Sequence, residues 1–134
     1  MIGGLNILGI VLAALVAMII GAAWYSPRLF GTAWMKELGK TSPGQLGNPK
    51  KAMINAIVMN FVSALALALV FKWQGAETST DALMTALVVG VGLVLSNQLM
   101  RDRFHGVSSH LSLINGANTV VVYLAMGTVL FYAG

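Results

Sequence analysis

The sequence predicts an all-α membrane protein with four transmembrane helices and a short basic amphipathic interfacial helix after the first span. Three observations carry this expectation. Of 134 residues, 57% are hydrophobic and 9% charged, where a soluble domain carries about 25% charged residues. The mean hydropathy is +0.82. The apolar residues fall into four blocks with the charges between them, and each block approaches the ~20 residues that cross ~30 Å of hydrocarbon as a helix. Backbone groups have no water to bond in lipid, so spans are helices or closed barrels, and continuous apolar runs select helices.

The elements come in order within a single transmembrane domain over 1–134, with spans about 5–24, 52–71, 82–100 and 111–133. The first runs from Leu5 to Trp24. No Lys or Arg precedes it, and it is longer than a signal-peptide core of roughly 7–15 residues, so it reads as a retained span. Pro27 then drives Ser26 out of helical geometry.

The interfacial helix is expected at about 28–39. Arg28, Thr32, Lys36 and Lys40 form one i+4 row, and Phe30, Trp34 and Leu38 form another with Met35 beside it. Leu29 is the exception, falling among the basic residues. Such a helix suits the headgroup region, and Trp24 and Tyr25 suit the aromatic belt. Gly39 and "TSPGQLGNP" end it in a turn-rich connection. Asn48 is expected to cap the second span, with Pro49 at its first helical position. Ser79 or Thr80 is expected to cap the third, with Asp81 in its first turn.

Loop charge gives an orientation. Segments 25–51 and 101–110 carry Arg28, Lys36, Lys40, Lys50, Lys51, Arg101 and Arg103, whereas the opposite side has Lys72 alone. Seven basic residues against one predict that these two segments are cytoplasmic and both termini outside, in a bacterial inner membrane. The same retention explains the net charge of +4, and no aromatic-basic pattern of a nucleic-acid binder accompanies it. The absence of cysteine excludes disulfides and thiolate chemistry.

In lipid, close packing drives helix association and small residues permit it. Gly9, Ala13, Ala17 and Gly21 form such a row in span one, Ala56, Ala64 and Ala68 in span two, with Asn60 interrupting, and Ala86 and Gly90 in span three. These rows exceed what one small bundle needs. They predict a homo-oligomer, or docking to a partner membrane protein, besides the bilayer itself. A parallel duplication is a further expectation, aligning Ile54 with Ile114, Asn55 with Asn115, Val62 with Val122 and Phe71 with Phe131.

Candidate chemistry is sparse. The spans hold no ionisable residue well inside, which argues against a proton-coupled pump. Their polar residues are amides and hydroxyls: Asn55, Asn60, Ser63, Thr85, Ser96, Asn97, Gln98, Asn115, Asn118 and Thr119. Asn115, Asn118 and Thr119 share one face, continued by Tyr123. They are either interhelical hydrogen-bonding groups or the lining of a site for a small neutral or weakly polar solute. Asp102, His105 and His110 are candidates for acid–base work, and the i+5 spacing of the two histidines across Gly106 suits no helical metal-ligand pair. No catalytic residue, metal or cofactor is assigned. The readings in order are a channel or small transporter, a non-catalytic accessory subunit, and a membrane-interface enzyme using Asp102, His105 and His110.

"WYSPRLFGTAW" resembles the signature of a bacterial membrane family, domain of unknown function 1761, whose core after the first span reads W-Y-S/T-P-x-L-F-G-x-x-W. Trp24, Tyr25, Ser26, Pro27, Leu29, Phe30, Gly31 and Trp34 match it. "RDRFHGVSSHLSLINGANTVVVYLAMGTVL" is similar to the family's closing segment. The resemblance implies a small integral membrane protein and brings no activity with it. Ser26, Pro27 and Gly31 are more specific than an anchor requires. They are expected to support a contact with span four, the loop before it, or a neighbouring subunit.

Overall fold

The computed structural model describes residues 6–26, 28–39, 49–75 and 77–133. Among them there is no strand. Five helices account for the architecture: α1 (Ile7–Trp24), α2 (Gly31–Glu37), α3 (Pro49–Gln74), α4 (Ser79–Phe104) and α5 (Ser109–Ala133). All but α2 are long and apolar enough to cross a membrane. The architecture is that of a multi-pass membrane protein.

α1 and α5 form the centre and share the largest contact. α3 packs on the outer side of α1, and α4 on the outer side of α5. The core joins Ile10, Ala13 and Ala17 of α1 to Ala64 and Leu67 of α3, Ala86 of α4, and Val122, Met126 and Leu130 of α5. Gly9 and Gly90 are buried as well, and Ala56 and Ala68 half-buried, so the small-residue rows lie against the chain's own helices. Gly21 differs, since nothing lies within 4 Å of where its Cβ would sit. Among the glycines of the four spans, the tightest place lies outside those rows: a Cβ on Gly127 of α5 would stand 2.7 Å from Ala86 Cβ.

Three of the four pairs aligned as a repeat differ in burial, Phe71 and Phe131 being alike. Asn55 is exposed on the outer helix α3, whereas Asn115 is half-buried on the central helix α5.

Capping sets the helix ends. Asn6 caps α1 by accepting from Gly9 N–H at 3.2 Å, and its amide nitrogen donates to the Ala133 carbonyl, joining the start of α1 to the end of α5. α4 is capped by Thr78 rather than by Ser79 or Thr80: Thr78 is the extended residue, at φ −122° and ψ 159°, and its Oγ1 accepts from Asp81 N–H. Ser79 and Thr80 are already helical and cannot fill that role. α3 opens at Pro49. Leu5, Pro27, Lys40 and Asn48 lie outside the described residues.

α2 is shorter than the expected 28–39. The chain first folds back, with Phe30 N–H on the Trp24 carbonyl at 3.0 Å and Gly31 N–H on the Ser26 carbonyl at 2.8 Å. Arg28 therefore lies in the turn, and Thr32 and Lys36 remain as the exposed row.

α4 is not uniform. Val88–Leu95 is π-helical between two α-helical ends, and Ser96 N–H reaches back to the Val91 carbonyl. The Ser96 hydroxyl donates to the Gly92 carbonyl at 2.7 Å. A π segment adds backbone to a turn and so rotates the C-terminal part of a helix relative to its N-terminal part. Within this segment Gly90 lies against Tyr123, whose Cβ is 2.8 Å from the place of a Gly90 Cβ.

Candidate functional site

The site begins at the elbow after α1. Trp24 Nε1–H donates to the Ile114 carbonyl at 2.9 Å and Tyr25 OH donates to Asn115 Oδ1 at 2.6 Å. The two aromatics thus tie the elbow to the first turns of α5. Their rings are held in turn by Phe30, 4.6 Å from Trp24, and by Trp34, 4.9 Å from Tyr25. Ser26 Oγ donates to the Ala23 carbonyl at 2.7 Å. Gly31 sits where the fold-back is tightest. A Cβ there would overlap the Tyr25 carbonyl oxygen and lie 2.7 Å from the Ser26 carbonyl carbon. Leu29 is exposed. The motif therefore closes an elbow and docks it on the last span and, through α2, on the loop before it.

That docking reaches α2 as well. Glu37, its last residue, accepts from Ser108 Oγ at 2.6 Å and lies 3.0 Å from His110 Nδ1. Ser108 also accepts from Leu111 N–H, capping α5. The Ser108 hydroxyl, then His110, hold the Glu37 carboxyl below its ordinary range.

Behind the elbow lies a polar cavity of about 300 Å³, bounded by Tyr25, by Gln98, Arg101 and Asp102 of α4 and His105 just after it, and by Asn115, Asn118 and Thr119 of α5. Its size is at the lower limit for small-molecule pockets. Most of the amide and hydroxyl groups are already partnered. Thr119 Oγ1 donates to Gln98 Oε1 at 2.9 Å, with the Asn115 carbonyl as a second acceptor at 3.2 Å. The buried Ser112 donates to Asp102 Oδ2 at 2.7 Å, fixing that carboxylate. Burial pushes the Tyr25 phenol up to about 12, so it remains a donor at neutral pH. One group stands apart: the Asn118 amide oxygen, as assigned, is buried without a hydrogen-bond partner.

The cavity brings together two sets that are separate in the sequence, the amide face of α5 and the Asp102–His105 segment. It does not gather the rest. His110 faces Glu37 instead, which divides the acid–base trio. Tyr123 packs on Gly90 and does not line the cavity. Asn60 donates to Met18 Sδ at 3.0 Å, between α3 and α1. Ser63 is half-buried on α3, and Asn55 and Asn97 are exposed. Among the described residues, no group of three or more His, Asp or Glu side chains is arranged to hold a metal. Sequence reasoning uses Arg101 only for topology, and Gln98 only as one polar residue among several. Their signal is present in the spacing, since Gln98 and Asp102, and Arg101 and His105, are i+4 pairs on adjacent rows.

A family model described as "Protein of unknown function (DUF1761)" matches residues 8–131. No curated protein and no solved structure matches the chain.

Proposed function

The chain belongs to the DUF1761 family, and we propose from its own geometry that it is a membrane-embedded binding protein for a small polar solute. The observation that carries this reading is the polar cavity with Asn118 among its lining residues, the amide oxygen of that side chain being buried without a partner. A buried acceptor left unmade costs about 1–3 kcal/mol, and a ligand donor offsets that cost. The adjacent Arg101 and Asp102 supply both signs of charge, which suits a neutral or zwitterionic ligand. The solute enters from the side bearing the basic segments, which is the cytoplasmic side in this reading.

Purified protein tested against a panel of amides, polyols and amino acids carries the test. At least one is expected to raise the melting temperature, with the effect lost in Asn118→Leu and kept in Asn60→Leu. No shift from any member, or an undiminished shift in Asn118→Leu, overturns the reading. Passage of the solute, as in a channel or small transporter, is its extension. In proteoliposomes the flux would be abolished by Asn118→Leu. Asn60, bonded to Met18 away from the cavity, is not part of that route.

A second reading rests on a different observation. Asn55 is exposed on α3 amid Met53, Ile54, Ile57 and Val58, all at least 49% exposed. An outward amide on a membrane helix gains from a hydrogen-bonding neighbour. This favours α3 as the face of a homo-oligomer or of contact with a partner membrane protein, since the small-residue rows are used within the chain. Crosslinking in native membranes would give a dimer that Asn55→Leu weakens, and a species that remains monomeric would refute it.

A further inference from the structure

A second cavity, of about 380 Å³, lies on another face of the α4–α5 contact, apart from the polar site. Its walls are Leu99 on α4 and Leu113, Ala117 and Val120 on α5, and its head is formed by Arg103 and Ser109. Leu113 is 68% exposed and Leu99 39% exposed, so the groove opens outward. The Arg103 guanidinium donates to Ser109 Oγ at 3.3 Å, and among the described residues no carboxylate pairs with it.

We propose that this groove binds one anionic phospholipid, its phosphate on Arg103 and Ser109 and one acyl chain along the apolar walls. Three features fit that occupant. First, the lining on α5 runs from Ser109 to Val120, about 16 Å at 1.5 Å per residue, or half of the ~30 Å hydrocarbon thickness. That is the depth of one tail in one leaflet. Second, a guanidinium with a hydroxyl beside it matches phosphate oxygens, which it engages as a two-pronged donor. Third, the head of the groove lies at the N-terminal end of the 25-residue α5, where the helix dipole offsets charge from the Glu37 carboxylate bonded to Ser108 and His110. A polar solute would leave the leucine walls unsatisfied, and a free phosphate would leave them empty.

Native mass spectrometry of the protein in neutral detergent, with equimolar phosphatidylglycerol and phosphatidylcholine of identical chains, tests this. The protein is expected to retain one phosphatidylglycerol in preference, by about fivefold, given roughly 1 kcal/mol per basic residue at a membrane surface. Arg103→Gln, at an exposed position, should bring the ratio near one. Arg28→Gln and Arg101→Gln, outside the groove, should keep it. Ala117→Phe should reduce retention of both lipids by filling the groove. An equal ratio in the unmodified protein overturns the proposal. So does an equal loss from all three arginine variants, which marks general surface charge, or undiminished retention by a folded Ala117→Phe variant.

Discussion

At the scale of single residues, the elbow depends on Gly31 more than on any of its aromatics. An added methyl meets backbone atoms of Tyr25 and Ser26, which cannot move aside as a side chain does. Gly31→Ala is expected to lower stability by about 3 kcal/mol, at the upper end for overpacking, read by thermal unfolding in detergent. Tyr25→Phe removes only the donor to Asn115 and is expected to cost about 1 kcal/mol. Glycines elsewhere divide in the same way. Gly127→Ala places its methyl against Ala86 and is expected to destabilise by roughly 1–3 kcal/mol. Gly21→Ala meets nothing and is expected to stabilise by up to about 1 kcal/mol through helix propensity. The sequence singles out Gly31 as more specific than an anchor requires, because a small residue between aromatics stands out. It does not single out Gly127, because a glycine in an apolar run looks the same whether it faces a neighbour or lipid.

At the scale of elements, α2 is held at its C-terminal end by Glu37. Bonding to Ser108 and His110 lowers the carboxyl below its value in an unfolded chain. The contribution is therefore complete above that unfolded value and is lost as pH falls through the lower, folded one. A nitroxide at Lys36→Cys is unambiguous in a chain without cysteine. It should stay restrained from neutral pH down to the carboxylate range and loosen below it, while Glu37→Gln should mobilise it at every pH. α2 itself could be anticipated as short and basic, but its start could not. The i+4 row begins at Arg28, whereas the backbone bonds of the fold-back delay the helix to Gly31. The π-helical part of α4 was equally hidden, since "VVGVGLVL" continues an α pattern without a break. Yet its rotation helps decide which residues of the last α4 turns meet the polar cavity.

At the scale of the whole molecule, four spans were legible because composition alone selects lipid as the solvent. Their neighbours in space were not, since small-residue rows mark contact without saying with which helix. The pocket could not be read either, as Tyr25 and Asn115 are 90 positions apart and meet only once α1 and α5 are set side by side. The membrane orientation is testable as a global property. Single cysteines at 36 and 103 should be shielded from an impermeant reagent in intact cells, and one at 77 labelled; the reverse pattern would invert the assignment. The central pairing of α1 with α5 has one more consequence, for synthesis. Trp24 leaves the ribosome 90 residues before its acceptor at Ile114, an interval of roughly 5–18 s at 5–20 residues per second. Late in that interval α1 has α3 beside it but not α5, with which it shares its largest contact. The first of the four spans is thus completed by the last, so a chain stalled before α5 leaves uncovered the face of α1 that α5 closes.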